Sequence, residues 1–314
     1  MGFGVFCGPL DGCHEPGDEV TSPLLTGLAL GRGAILRQDL RLDPRWWSAA
    51  LAAGALAVEV SPGSIAVTDG RLAWRSPTVD DRERAVLIGV NDLPRIAVLV
   101  AEDAALTSLR LVGADLVDDE AAIATTAVAL AQWHASHQHC PQCGSRMSQA
   151  EAGWALLCPA DESVHYPRTD PAVIVLIRDD AKRALLGRRA DWPDGWFSTL
   201  AGFVEAGETA ERTLVREVAE EAGITVDPDR IVYRGSQPWP FPRSLMLGYH
   251  AWAGGDLTPK PDGTEIAEAR WFTRSELLEA LETGDVRLPP RVSIARRLVE
   301  DWYGRTLPGS WSRP

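Results

Sequence analysis

The sequence lacks any apolar run long enough to cross a bilayer. Its most apolar early stretch, Trp46 to Val58, falls well short of the roughly 20 residues required. It also lacks a basic segment followed by an apolar one near its start. Asp11, Glu15, Asp18 and Glu19 stand there instead, so a secretory leader is not expected. Basic charge is in deficit: 31 Lys and Arg against 44 Asp and Glu give a net charge of −13. That balance argues against holding nucleic acid or an anionic membrane by bulk charge. Lysine is nearly absent, and the arginine in its place reads as compositional bias. Cysteine is scarce and odd in number, five in all, with three clustered at Cys140, Cys143 and Cys158. In a reducing compartment this pattern points to metal or free thiol before disulfide. Aromatic material, by contrast, is abundant. With 12 Trp the chain is not a candidate for disorder, and 314 residues leave room for two domains and a small third module.

Three textures follow one another. Residues 1–135 read as a strand-rich domain, with β-type runs at Ile65–Thr68, Ala85–Val90 and Ile96–Val100 separated by turn signals such as Asp69-Gly70. It closes with an Ala-rich helix over about Asp118 to His137. Residues 136–168 form a compact Cys-bearing module. From residue 169 strands mix with helices: strands at Ala172–Ile177, Arg183–Arg188, Ile231–Arg234, Leu245–Trp252 and Ala269–Phe272, helices at about Glu208–Ala222, Ser275–Thr283 and Val292–Trp302. The expected class is α/β with a layered architecture. Some features carry bland readings. Gly31-Arg32-Gly33 is a turn without the rest of a phosphate-binding fingerprint. His134 and His137, one helical turn apart, read as packed or solvent-facing, and Cys7 and Cys13 as residues without chemistry.

The run from Gly202 to Glu208, followed by Arg216-Glu217-Val218-Ala219-Glu220-Glu221-Ala222-Gly223-Ile224, carries the strongest signal. On a helix turning about 100° per residue, Glu217, Glu220 and Glu221 share one arc, while Leu214, Val215, Val218 and Ala222 form an adjoining apolar one. Gly223 suits a helix C-terminus. Three like charges on one arc repel unless a cation neutralises them, and carboxylate oxygens suit Mg²⁺ or Mn²⁺, ions that also hold phosphates. A bare Glu-rich arc is also compatible with a solvated face.

This pattern resembles the Nudix box at Gly202, Glu208, Arg216, Glu217, Val218, Glu220, Glu221, Gly223 and Ile224. The resemblance implies a Nudix α/β/α sandwich with a mixed sheet and hydrolysis of a nucleoside diphosphate linked to a second group. It implies that Glu217, Glu220 and Glu221 face divalent cations and carry the catalysis, that the main chain at Ala201 adds a ligand, and that Glu208 pairs with Arg216.

A second run, Ser236-Gln237-Pro238-Trp239-Pro240-Phe241-Pro242-Arg243-Ser244, alternates prolines with aromatics. The prolines lock φ and remove donors, so Trp239 and Phe241 are held, which suits a shelf for a base or nicotinamide ring. Gln237 could add an amide contact and Arg243 a phosphate contact. A packed loop, or a polyproline ligand for a partner, would read similarly. The run resembles the signature of the NADH pyrophosphatase branch of the Nudix family, and the likeness covers about residues 130–305. It implies substrate contacts from Gln237, Pro238, Trp239, Pro240, Phe241, Pro242, Arg243 and Ser244, from Tyr166 and from Ala295. Glu265 matches the family's further metal-binding glutamate.

Cys140-Pro-Gln-Cys143, fourteen residues, then Cys158-Pro-Ala-Asp161 has zinc-ribbon spacing with Asp161 where the fourth Cys would stand. Asp can ligate Zn²⁺ through oxygen, and His139 or His165 could substitute. A degenerate, metal-free ribbon packed around Trp154 is the other reading. A family glutamate before the third Cys is Gly153 here.

Together these point to an enzyme that hydrolyses the pyrophosphate of NADH or NAD⁺, and the resemblance implies AMP and nicotinamide mononucleotide as its products. The resemblance extends this to NAD caps on RNA, and implies a cytoplasmic homodimer. A Nudix hydrolase of ADP-ribose or another dinucleotide and a non-catalytic nucleotide sensor are the alternatives. The three intact glutamates favour the enzyme, and the Trp239–Pro242 run favours NAD(H).

Overall fold

The computed structural model describes residues 24–311 except 26, 34–38, 91 and 102–104. The expectations for Cys7, Cys13 and the acidic start fall outside them. Helix α1 (Trp46–Ala52) leads into strands β1 (Leu56–Ser61), β2 (Ser64–Ile65), β3 (Val67–Thr68) and β4 (Arg71–Leu72). The single strand expected at 65–68 is thus two short ones in different sheets. Strands β5 (Ala85–Val90), β6 (Pro94–Leu99) and β7 (Thr107–Ser108) complete a five-stranded sheet in the order β5-β6-β1-β2-β7, where β1 and β6 run parallel. A four-residue helix α2 (Leu109–Val112) precedes α3 (Asp118–Ser136). Helix α3 is apolar around most of its circumference, as a helix buried on several sides must be. It lays Ala121, Ala124, Ala127 and Val128 on the sheet. Its buried Glu120 is accommodated by a two-pronged ion pair with Arg71, both contacts at 3.0 Å.

The Cys-bearing module holds a three-stranded sheet of β8 (Ser148–Ala150), β9 (Ala155–Leu157) and β10 (Val164–His165). It docks on the first sheet through Trp154, whose indole donates to Leu87 O at 2.7 Å.

The third sheet is mixed: β11 (Asp170–Arg178), β12 (Ala184–Arg189), β13 (Leu200–Phe203), β14 (Thr225–Trp239), β15 (Ser244–Gly254) and β16 (Ile266–Phe272). Its order is β14-β15-β11-β12-β16, with β13 paired to β11 and the β11–β15 pair parallel. Strand alternation sorts the faces of β11. Val173, Val175 and Ile177 pack against α4 (Ala210–Ala222). Ile174 and Leu176 pack against α5 (Arg274–Thr283) and α6 (Ile294–Tyr303). Buried on both faces, the strand reads as one apolar run. The result is the expected α/β/α sandwich.

Two local differences have physical causes. Helix α4 starts at Ala210 and not at Glu208, because Thr209 caps it, its hydroxyl accepting from Arg212 N at 3.3 Å. Glu208 is left in the loop. Strand β14 runs on to Trp239, so the proline-rich run begins inside a strand. Proline is tolerated there because β14 is an edge strand, free of one ladder.

Candidate active site

The loop from β13 and the helix α4 meet where the glutamates lie. Gly202 on β13 has no room for a side chain: a Cβ would coincide with the Glu217 carboxylate. Glycine here lets that carboxylate sit directly over the sheet. At the other end of α4, Gly223 adopts φ 64°, the left-handed conformation that ends the helix. Between them Arg216 ties loop to helix. It grips both oxygens of Glu208 (2.8 and 2.9 Å), reaches Phe203 O at 3.1 Å, and bridges Glu217 and Glu220 at 2.9 Å each. The guanidinium holds Glu208 down to about 2.

The three glutamates differ in burial. The Glu220 side chain is 60% exposed, that of Glu217 13%, and Glu221 is buried. Burial raises Glu217, against the pull of Arg216. Glu221 is pushed up to about 8, by burial first and then by the Glu217 charge. Ala201 N–H donates to it, and the charge of the exposed Glu265 also bears on it. Its Oε2 is buried with no hydrogen-bond partner among the described residues. A buried carboxylate with a vacant oxygen, a second carboxylate beside it and a third near by is a donor set that fits a hard divalent cation.

Glu221 and Ala201 line a cavity of about 400 Å³. Trp239, Met246, Ala295 and Arg110 are also in its wall. Ala295 lies in the first turn of α6 and is buried. The proline-rich run divides its labour. Trp239 faces the cavity and meets Phe241 edge-on at 5.0 Å, and the Arg110 guanidinium lies over both rings at 5.3 and 4.4 Å. The pair also packs on the core of the first sheet. The structure puts Gln237 to a different use from ligand contact: fully buried, it donates to Val292 O and accepts from Ile294 N, both at 2.8 Å. Arg243 pairs with Asp170 at 2.7 Å. Pro238, Pro240, Phe241, Pro242 and Ser244 are not part of the cavity wall; Phe241 packs against Trp239 and Ser244 pairs with it across the β14–β15 hairpin. Tyr166 is 58% exposed and donates to Glu151 at 3.1 Å, away from this cavity.

Sequence reasoning missed Arg110, Arg189, Trp192 and Trp311, all in the cavity wall. No local pattern marks them, because distant parts of the chain deliver them.

In the Cys-bearing module two like turns, Gly144 N to Cys140 O (2.9 Å) and Glu162 N to Cys158 O (3.1 Å), aim the thiols inward. The ligand atoms of Cys140, Cys143, Cys158 and Asp161 all lie within 4.8 Å of one another. Asp161 Oδ2 is 3.3 Å from Cys140 Sγ, and Cys143 Sγ is 3.4 Å from Cys158 Sγ. Burial pushes Cys158 up to about 11, and Ser163 holds Asp161 well below the carboxylate range. Three soft sulfurs and one oxygen closing on one point fit Zn²⁺. His165 touches Ser163 at 2.9 Å and so belongs to the shell behind Asp161.

Comparison with known proteins agrees with this geometry. Residues 168–292 match the NUDIX domain, and residues 135–166 match the NADH pyrophosphatase zinc ribbon domain. The NAD-capped RNA hydrolase NudC of Mycobacterium tuberculosis is 37% identical over 306 residues, covering 89% of this chain and 94% of that one. That of Stutzerimonas stutzeri is 44% identical over 183 residues, covering 58% and 61%. Among solved structures, a NUDIX hydrolase from Nitrosomonas europaea is 25% identical with a TM-score of 0.42, covering 55% of this chain and 96% of that one.

Proposed function

The chain belongs to the Nudix hydrolases, in the branch that carries an NADH pyrophosphatase zinc ribbon, and on that premise we propose that it cleaves the central pyrophosphate of NADH or NAD⁺. The products are AMP and nicotinamide mononucleotide, reduced when the substrate is NADH. The same reaction removes NAD caps from RNA, since the bond broken is identical. One observation carries the reading most: Glu221, whose buried Oε2 has no hydrogen-bond partner among the described residues, lines a cavity that also presents Trp239.

Glu217, Glu220 and Glu221, with the Ala201 main chain and Glu265, would hold Mg²⁺ or Mn²⁺, which when bound supplies Lewis-acid polarisation of the pyrophosphate. Arg216 keeps the loop and helix in fixed register, so the carboxylates do not have to be organised during the reaction. Trp239 offers a ring face, stiffened by Phe241 and Arg110, and so orients the dinucleotide. The proton of the incoming water passes to a carboxylate of this glutamate cluster. Water oxygen bonds to one phosphorus, the bridging P–O bond breaks, and the other phosphate leaves. The glycosidic bonds are untouched.

We read the chain as three units, 1–135, 136–168 and 169–314, with structural zinc in the second. We also infer a homodimer acting in the cytoplasm. Leu157 and Val164, paired across β9 and β10, and the neighbouring Tyr166 are exposed, which supports a protein contact there. Light scattering tests the dimer. Chromatography of the products from NADH, NAD⁺ and ADP-ribose tests the reaction. Nicotinamide plus ADP-ribose as products, or cleavage of ADP-ribose with NADH left intact, would refute it.

A further inference from the structure

The cavity has a second aromatic end that the motifs do not announce. Trp192, half-buried just after β12, and Trp311, near the C-terminus, both line it. Their ring centroids are 5.0 Å apart. Trp311 is in turn stacked on Trp196 at 5.0 Å with 10° between the planes. Trp192 therefore has a rigid backing of two further indoles.

The chain commits a buried charge to keeping this arrangement. Arg296 on α6 is 2% exposed. Its guanidinium donates to the carbonyls of Leu307, Gly309 and Pro289 and to Glu300. Glu300 accepts in addition from Leu307 N at 3.0 Å. Desolvating a guanidinium is costly unless its hydrogen bonds are met, and here they are met largely by the segment it fastens. The result pins residues 307–309 beside Pro289 and sets Trp311, whose N–H bonds Leu288 O at 2.9 Å. Trp239 and Trp192 are thus two separately supported aromatic surfaces in the wall of one cavity that also contains Glu221.

We propose that Trp192, buttressed by Trp311, is a stacking subsite for a nucleotide ring, so that the two ring systems of a dinucleotide are held by Trp239 and by Trp192. This rests on the function proposed above, because a substrate with a ring on each side of its pyrophosphate needs two such surfaces around the carboxylates. The ligand chemistry is a planar heteroaromatic ring carried on a ribose phosphate; adenine and nicotinamide both qualify.

The test uses the full chain with Trp192→Ala, Trp192→Phe and Trp239→Ala, and AMP and nicotinamide mononucleotide as separate inhibitors of NADH cleavage. Loss of a stacked base weakens binding by roughly tenfold. Trp192→Ala is expected to raise KM for NADH by about that factor with kcat changed less than about twofold. It should weaken inhibition by one mononucleotide and not by the other, Trp192→Phe should recover most of the loss, and Trp239→Ala should weaken the other mononucleotide. Unchanged KM and inhibition in Trp192→Ala, or equal weakening of both inhibitors, would overturn the subsite. If the wild type spares NADH and cleaves ADP-ribose, the functional reading fails. The AMP comparison with ADP-ribose as substrate then still decides the subsite on its own.

Discussion

Glu221 accepts from Ala201 N–H, yet its Oε2 is buried with no hydrogen-bond partner among the described residues. Without a cation this is an unfavourable place for a charge, which is why the group is pushed up to about 8. The consequence for stability follows from proton linkage. Below pH 4.5, the ordinary value, the carboxyl is protonated folded and unfolded alike. Between 4.5 and about 8 the unfolded chain loses the proton while the folded chain keeps it, so stability falls as pH rises through that window. Glu221→Gln removes the titration and keeps the shape. In metal-free protein the variant should gain on the wild type in Tm as pH rises from 4.5 to 8, while its turnover at saturating Mg²⁺ falls by at least about 10²-fold. Paired melts across pH with chelator, and turnover at one pH, check both halves. A variant with near wild-type turnover would remove Glu221 from the metal site. A second residue-scale expectation concerns Trp239. Replacing it by Ala should loosen discrimination among dinucleotides by roughly 1–3 kcal/mol if one stacked ring is lost, read as ratios of kcat/KM.

At the scale of elements, periodicity carried some features and not others. Three glutamates at i, i+3 and i+4 share an arc of any helix that holds them, and a short, β-branched apolar run such as Ala172–Ile177 suits a strand buried on both faces. These features depend on nothing outside their own segments, so they were legible. The full length of the β14–β15 hairpin was not, because a strand that contains Pro238 is admissible only once the sheet order places β14 at the edge. From the run alone, Gln237 reads as an amide contact to substrate. Its partners, Val292 and Ile294, lie more than fifty residues away and cannot be seen from the run itself. Its position now makes a structural prediction. Gln237→Ala leaves a buried N–H and a buried carbonyl unpaired and opens a cavity, which costs about 2–4 kcal/mol. Urea denaturation should show that loss, with any change in substrate affinity following from displacement of the start of α6. If stability is unchanged while KM rises, the amide faces substrate after all.

Over the whole molecule, the Cys-bearing module links the first sheet to the sandwich, so its metal site bears on more than its own fold. Trp154 donates into the main chain of β5 at Leu87, and Gly153, with φ 91°, lies so close to Val86 that a Cβ there would fall 2.6 Å from a methyl group. Both contacts come from the turn at residues 151–154, which strand β9 joins directly to Cys158. Structural zinc contributes its binding energy to folding, because the ligand set does not exist in the unfolded chain. Purified chain should therefore contain close to one zinc, and Cys143→Ser should lower the zinc content and the melting temperature together. Asp161 gives a sharper version of the same argument. It supplies one hard oxygen to a site with three soft sulfurs, and thiolate binds Zn²⁺ more strongly than carboxylate does. Asp161→Cys completes the second knuckle, and its Sγ would enter a site already closed to within 4.8 Å. The variant should resist chelators that strip the wild type, and its melting temperature should rise when zinc is present and not when it is absent. Competition with a chromophoric chelator measures the first, and paired melts measure the second. Equal zinc retention in wild type and Asp161→Cys would mean that Asp161 lies outside the coordination set, leaving the three thiolates and a solvent molecule to hold the metal.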